Sequence, residues 1–106
     1  FTDEVERCRT LCEIHARLKS GGVFVAVHYS MTLKPAEREL CLSRCAAFAA
    51  SSGINPDQAR ASMEAIGKQL PILSPEQDEE LMQKAGFTDI NTFYTGLGFR
   101  GWVAHA

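Results

Sequence analysis

The chain is poor in the features that most quickly betray function. It has no run of apolar residues near the ~18–20 needed to cross a bilayer, and its first residues, Phe1-Thr2-Asp3-Glu4, do not resemble a signal peptide. It does not begin with Met, the expectation for a chain that starts within a larger protein and equally for one whose start is disordered or trimmed. Its formal net charge is only −2, and Lys and Arg are scattered, so nothing in it suits a bare nucleic-acid backbone. Internal repeats and low-complexity tracts are missing too. What is there is ordinary globular material: 106 residues, 45% hydrophobic and 23% charged, enough for one domain and one core.

Cysteine is the exception to this sparseness. Cys8/Cys12 and Cys41/Cys45 each have the i, i+4 spacing that puts two thiols on one helical face. Twin C-x3-C pairs suit a disulfide-stapled helical hairpin or a four-thiolate metal site, and resemble the small mitochondrial import chaperones. A long segment containing an apolar strand separates the pairs, however. Each Cys also falls on an apolar helical stripe, where a free thiol acts as a small hydrophobe. The reading adopted is reduced cysteine, no metal site and a cytoplasmic location.

Residues 3–18 form an amphipathic helix pattern, with Val5, Cys8, Leu11, Cys12, His15 and Leu18 on one face, Thr2 or Asp3 as cap and Gly21-Gly22 as stop. His15 is expected as a packed histidine. Val23 to Val27 are five consecutive apolar residues without alternation, the pattern of a strand covered on both faces. Lys34-Pro35 opens a second helix that Ser51-Ser52-Gly53 ends, and Asn55-Pro56-Asp57 starts a third that runs to about Lys68. Ser74-Pro75-Glu76-Gln77 unites an N-cap serine, a first-turn proline and a capping-box glutamine ahead of a fourth helix that stops at Gly86. Ile90–Thr95 and Phe99–His105 read as an antiparallel hairpin about Gly96-Leu97-Gly98. The expected order is α-β-α-α-α-β-β.

Three of these segments, in order, resemble the carboxy-terminal half of class I S-adenosylmethionine-dependent methyltransferases. Leu18-Lys19-Ser20-Gly21-Gly22-Val23-Phe24-Val25 looks like the junction before their fifth strand. Leu81-Met82-Gln83-Lys84-Ala85-Gly86-Phe87-Thr88-Asp89-Ile90 is similar to the segment joining the last helix to the sixth strand. Phe93-Tyr94 through Phe99-Arg100-Gly101-Trp102-Val103-Ala104 resembles the closing reverse hairpin, whose seventh strand inserts antiparallel. The two helices before Ser74 look most like the tRNA carboxymethyl-uridine and carboxy-S-adenosylmethionine synthase branch.

The resemblance implies an α/β fold: a partial Rossmann-like methyltransferase sheet of one central strand plus the C-terminal hairpin, with about four helices. It makes residues 1–106 a single domain and 31–72 a lid-like helical insertion. The family's Gly-rich loop between strand and helix, with its acidic partner, has no counterpart here. The chain is therefore expected to supply substrate-side and lid elements, and to bind S-adenosylmethionine weakly or not at all by itself.

Substrate groups in such sheets gather at carboxyl strand ends. That points to His28, Tyr29 and Ser30, with His28 able to orient or deprotonate an acceptor; a polar cluster that merely meets solvent is the other reading. Tyr94 and Arg100 on the hairpin could face the same opening, whereas Trp102 suits the core. Arg60, on the lid, could reach a cofactor or substrate carboxylate, or simply be a solvated helix-face arginine. No residue draws a catalytic role, and the methyl acceptor is unnamed. The alternative function is a non-enzymatic α+β interaction module: a short sheet with unpaired edges favours a homo-oligomer formed by strand pairing or swapping.

Overall fold

In the computed structural model, which describes residues 3–69 and 72–106, Asp3 caps the first helix by accepting the Glu6 N–H at 2.7 Å. Thr2, the alternative cap, lies outside the described residues. The elements follow in the expected order: α1 (Glu4–Arg17), β1 (Val23–Tyr29), α2 (Pro35–Ser51), α3 (Pro56–Gln69), α4 (Pro75–Ala85), β2 (Thr88–Gly96) and β3 (Phe99–His105). The fold is mixed α/β, four helices with a three-stranded antiparallel sheet in the order β1-β3-β2. The last strand thus lies between the other two, and β1 keeps one edge free.

Local chemistry explains the boundaries. At α4, Ser74 Oγ accepts the Gln77 N–H while Gln77 Oε1 accepts the Ser74 N–H, a complete capping box behind Pro75. Gly86 ends the same helix at φ +105°, a left-handed conformation that a side chain would resist, and a Cβ there would press on the His15 ring. Leu97 and Gly98 join β2 to β3 with both φ positive, as a two-residue turn of type I′ requires. Two register shifts interrupt β2, one of them spanning Asp89, which also has positive φ.

The core lies between one face of the sheet and the α1–α4 pair. Leu11, Leu81, Met82, Phe87, Trp102 and Ala104 are buried together, with Phe24 stacked on Phe87 at 4.7 Å and His15 edge-on to the same ring at 5.1 Å. Two expectations need correction. The face that α1 buries is rotated: Arg7 and Leu11 are buried, with Ile14 and Leu18 packed beside them, while Val5 and Cys12 point outward. A polar residue had taken a core position, which apolar periodicity cannot register. Nor is β1 covered on both faces. Phe24 and Ala26 pack inward, but Val23, Val25 and Val27 on the other face remain more than half exposed, since every helix packed on the sheet within this chain lies on one side.

The α2–α3 hairpin stands apart. The two helices pack chiefly on each other, and α2 buries none of its residues. The radius of gyration is accordingly 15.3 Å, against about 13 Å for a compact chain of this length. The cysteine-linked pairing of α1 with α2 is not the arrangement found; α1 packs on α4, α2 on α3, and all four thiols are free.

Candidate functional site

Where β1 ends, its backbone is pinned on two sides. The Ser30 N–H donates to the Gly98 carbonyl at the hairpin turn, and the Met31 N–H to the Leu73 carbonyl just before α4. This brings the end of β1, the first turns of α4 and the turn between β2 and β3 together around a buried carboxylate, Asp78. The Ser30 hydroxyl donates to Asp78 Oδ2 at 2.8 Å, and Arg7 Nη1 from α1 donates to Asp78 Oδ1, also at 2.8 Å. All three residues are buried, Asp78 at 1% exposure. Charge-assisted bonds to both oxygens hold the carboxylate in place and compensate the cost of keeping it from water.

His28 lies beside this cluster. Its Nε2 is 3.9 Å from Asp78 Oδ1, its ring is tilted against Trp102 at 5.1 Å between centroids, and its Nδ1 is 3.1 Å from the Tyr29 carbonyl. A proton on Nδ1, donated to that carbonyl, leaves a lone pair on Nε2. Such an imidazole can accept a proton. Trp102 is fixed from its far side, its indole N–H donating to Glu79 Oε1 at 3.1 Å.

Two openings reach this cluster. A cavity of about 500 Å³ lies among the end of β1, the start of α2, the first turn of α4 and the hairpin turn, lined in part by Ser30, Met31, Leu33, Phe99 and Arg100. A smaller groove, about 310 Å³, runs along β1 beside α1 and is lined by Phe24, Ala26, His28, Arg7 and Asp78. Asp78 connects the two: one of its oxygens holds Arg7 of the groove, the other holds Ser30 of the cavity.

The residues singled out from sequence divide accordingly. Ser30 and Arg100 line the cavity, and His28 lines the groove. Tyr29 stacks on Phe99 at 4.1 Å. Tyr94 is half exposed, with its ring over Gly96 rather than in the cavity wall. Arg60 pairs with Glu39 of α2, at 2.6 Å to Oε1, and with Glu64 of its own helix at 3.3 Å; it reaches neither opening. Residues 70–71 of the anticipated lid lie outside the described residues. On α2, the Cys45 thiol donates to the Leu97 carbonyl at 3.2 Å, and burial, with the Cys41 thiol beside it, pushes its pKa up. Arg7 and Asp78 escaped the sequence reading. Their signal was present: Asp78 falls in helical register with Leu81, Met82 and Ala85, and Arg7 with Leu11, Ile14 and Leu18, two opposite charges each embedded in an apolar stripe.

No family model matches the chain, and no curated protein matches it. Among solved structures it is similar to a possible exported protein from Bordetella parapertussis, with a TM-score of 0.65 at 16% sequence identity over 98% of this chain. That likeness is one of fold. The chain spans 34% of the length of that structure.

Proposed function

We propose that this chain is the carboxy-terminal part of a class I S-adenosylmethionine-dependent methyltransferase, contributing the substrate side and a helical lid. The observation that carries this is the strand order. A strand entered through a Lys-Ser-Gly-Gly junction pairs antiparallel with the last strand, which inserts between it and the strand that follows Ala85-Gly86-Phe87. This is the arrangement expected from the resemblance. The free edge of β1 and the bare valine face are what a sheet would leave when its other strands and helices lie elsewhere in a longer chain.

The chain's own residues do not fit the cofactor. It has no Gly-rich loop, and the one fully buried carboxylate among the described residues, Asp78, is already engaged by Arg7 and Ser30 and is not free for a ribose. Arg60 is held by glutamates on the lid. What these residues do offer is the acceptor side: a cavity at a carboxyl strand end, and an imidazole that can take a proton beside it. Methyl transfer needs mainly in-line placement of nucleophile and methyl in a water-poor site. The acceptor is a small molecule, in keeping with a cavity within the ~300–1,000 Å³ of ordinary ligand sites. Four free thiols suit a reducing compartment such as the cytoplasm.

The test extends the chain into its upstream coding sequence and titrates S-adenosylmethionine calorimetrically. Binding by the longer protein and none by residues 1–106 is the expected pair of results. Micromolar binding by residues 1–106 alone, or none by the longer protein, would sink the proposal. A second reading rests on the exposed Val23, Val25 and Val27 beside an unpaired β1 edge: a non-enzymatic module whose two copies pair through that strand. Light scattering decides it, since a dimer that Val25→Lys dissociates favours pairing and a stable monomer excludes it.

A further inference from the structure

The cavity at the end of β1 is lined by a cation, Arg100, that has no ion-pair partner among the described residues. Arg100 lies on β3 opposite His28, so its side chain projects from the helix-covered face of the sheet into the cavity wall. Its Nε is buried without a hydrogen-bond partner among the described residues, and no described carboxylate pairs with the guanidinium. A guanidinium in a cavity wall with no described carboxylate to neutralise it is a ready anchor for an anionic ligand. The other ionisable residues of the wall do not pair with it. Lys34 is 3.8 Å from Glu37, and Glu76 opens α4 without reaching Arg100.

We infer that the cavity binds a monocarboxylate on a largely apolar body, with Arg100 as its anchor. A guanidinium is planar, and its two Nη groups present paired N–H donors, the match for a carboxylate. The charge arrangement favours a monoanion. Lys34 is engaged by Glu37, which leaves Arg100 as the one cation of the wall with no ion-pair partner among the described residues; with Glu76 also in the wall, it can face one negative charge but not the two of a phosphate monoester. Met31, Leu33, Cys41 and Phe99 supply the apolar wall for the rest of the ligand. This specifies the acceptor class of the proposed methyltransferase and rests on that reading only for the ligand's role, not for its binding.

The experiment therefore omits S-adenosylmethionine. Residues 1–106 are titrated with p-toluate, with the neutral isostere p-toluamide and with phenyl phosphate, following the Arg100 Nε–H resonance by NMR. Toluate should bind and shift that resonance, with toluamide binding roughly 10- to 100-fold more weakly, the range of one charged hydrogen-bonded contact. Arg100→Gln should abolish the preference for toluate while leaving the urea unfolding midpoint in place, and Arg100→Lys should restore part of it. Equal binding of toluate and toluamide, a preference that survives Arg100→Gln, tighter binding of phenyl phosphate, or no binding of any probe at millimolar concentration would each overturn the assignment. None of those results bears on whether the longer protein binds S-adenosylmethionine, so the two proposals fail separately.

Discussion

The sheet with α1 and α4 and the α2–α3 hairpin are built from similar residues and behave as different materials. The first buries Leu11, Leu81, Met82, Phe87 and Trp102 around the Arg7–Asp78 ion pair. The second leaves Leu40, Phe48 and Ile54 about half exposed or more, and joins its helices through surface contacts such as those of Arg60 with Glu39 and Glu64. Apolar content alone therefore does not make a core. In the first region both helices and the sheet present apolar faces to one another, whereas the hairpin meets the rest of the chain mainly at the cavity rim and the Cys45–Leu97 contact. Such a hairpin can shift relative to the sheet at low cost, the property a lid over the cavity would use.

The largest expected contrast comes from matched substitutions. Asp78→Ala leaves the Arg7 guanidinium buried without its carboxylate and should cost about 3–5 kcal/mol. Phe48→Ala on the hairpin should change stability by less than about 0.5 kcal/mol, as for most surface positions. Urea unfolding of the two variants measures both, and comparable losses would mean that the hairpin is packed more firmly than its exposure indicates.

A smaller contrast lies at the helix starts. Ser74-Pro75-Glu76-Gln77 caps α4 fully, but α2 begins Lys34-Pro35-Ala36-Glu37 with no side-chain cap bond. Ser74→Ala should cost about 1 kcal/mol, and Lys34→Ser, which recreates the S-x-x-E box, should return a similar amount. Amide exchange should show the gain confined to α2; protection spreading into α4 would contradict the separation of the two regions.

The smallest effect is a pH dependence of the hairpin. The hydrogen bond from Arg60, aided by its charge, holds the Glu39 carboxyl below the usual glutamate range. Because the folded value is the lower one, the contribution is complete above the ordinary range and is lost as pH falls through the lowered value. Circular dichroism should show a slight acid loss of helix that Arg60→Ala removes, with no matching change in the Trp102 environment.

How far the sequence carried depends on how local each signal is. Ser74, Pro75, Gln77 and Gly86 act within one helix, so α4 was readable from its own residues; Gly96-Leu97-Gly98 marked the hairpin for the same reason. The cavity was half legible, because a carboxyl strand end is a biased place and that drew attention to Ser30 and His28. The centre of the site was not. Asp78 stands in an acidic first turn already explained by the helix dipole, and its partner Arg7 is 71 positions away. The rotation of α1 was hidden for the same reason, since a buried arginine reads as a solvated one until its carboxylate is known. Nor could β1 itself reveal that its second face would be bare, because a strand's composition records what covers it without saying which chain provides the cover.

Trp102, the chain's single tryptophan, gives the site an optical signature. Its ring is buried at 1% exposure, touches His28, and is hydrogen-bonded to Glu79 on the helix that carries Asp78. All tryptophan emission from residues 1–106 therefore originates beside the Arg7–Asp78 pair and His28. Loosening of α4 lets water in and moves the emission to longer wavelength. Steady-state fluorescence, with no label, then reads the integrity of the Arg7–Asp78 anchor from colour.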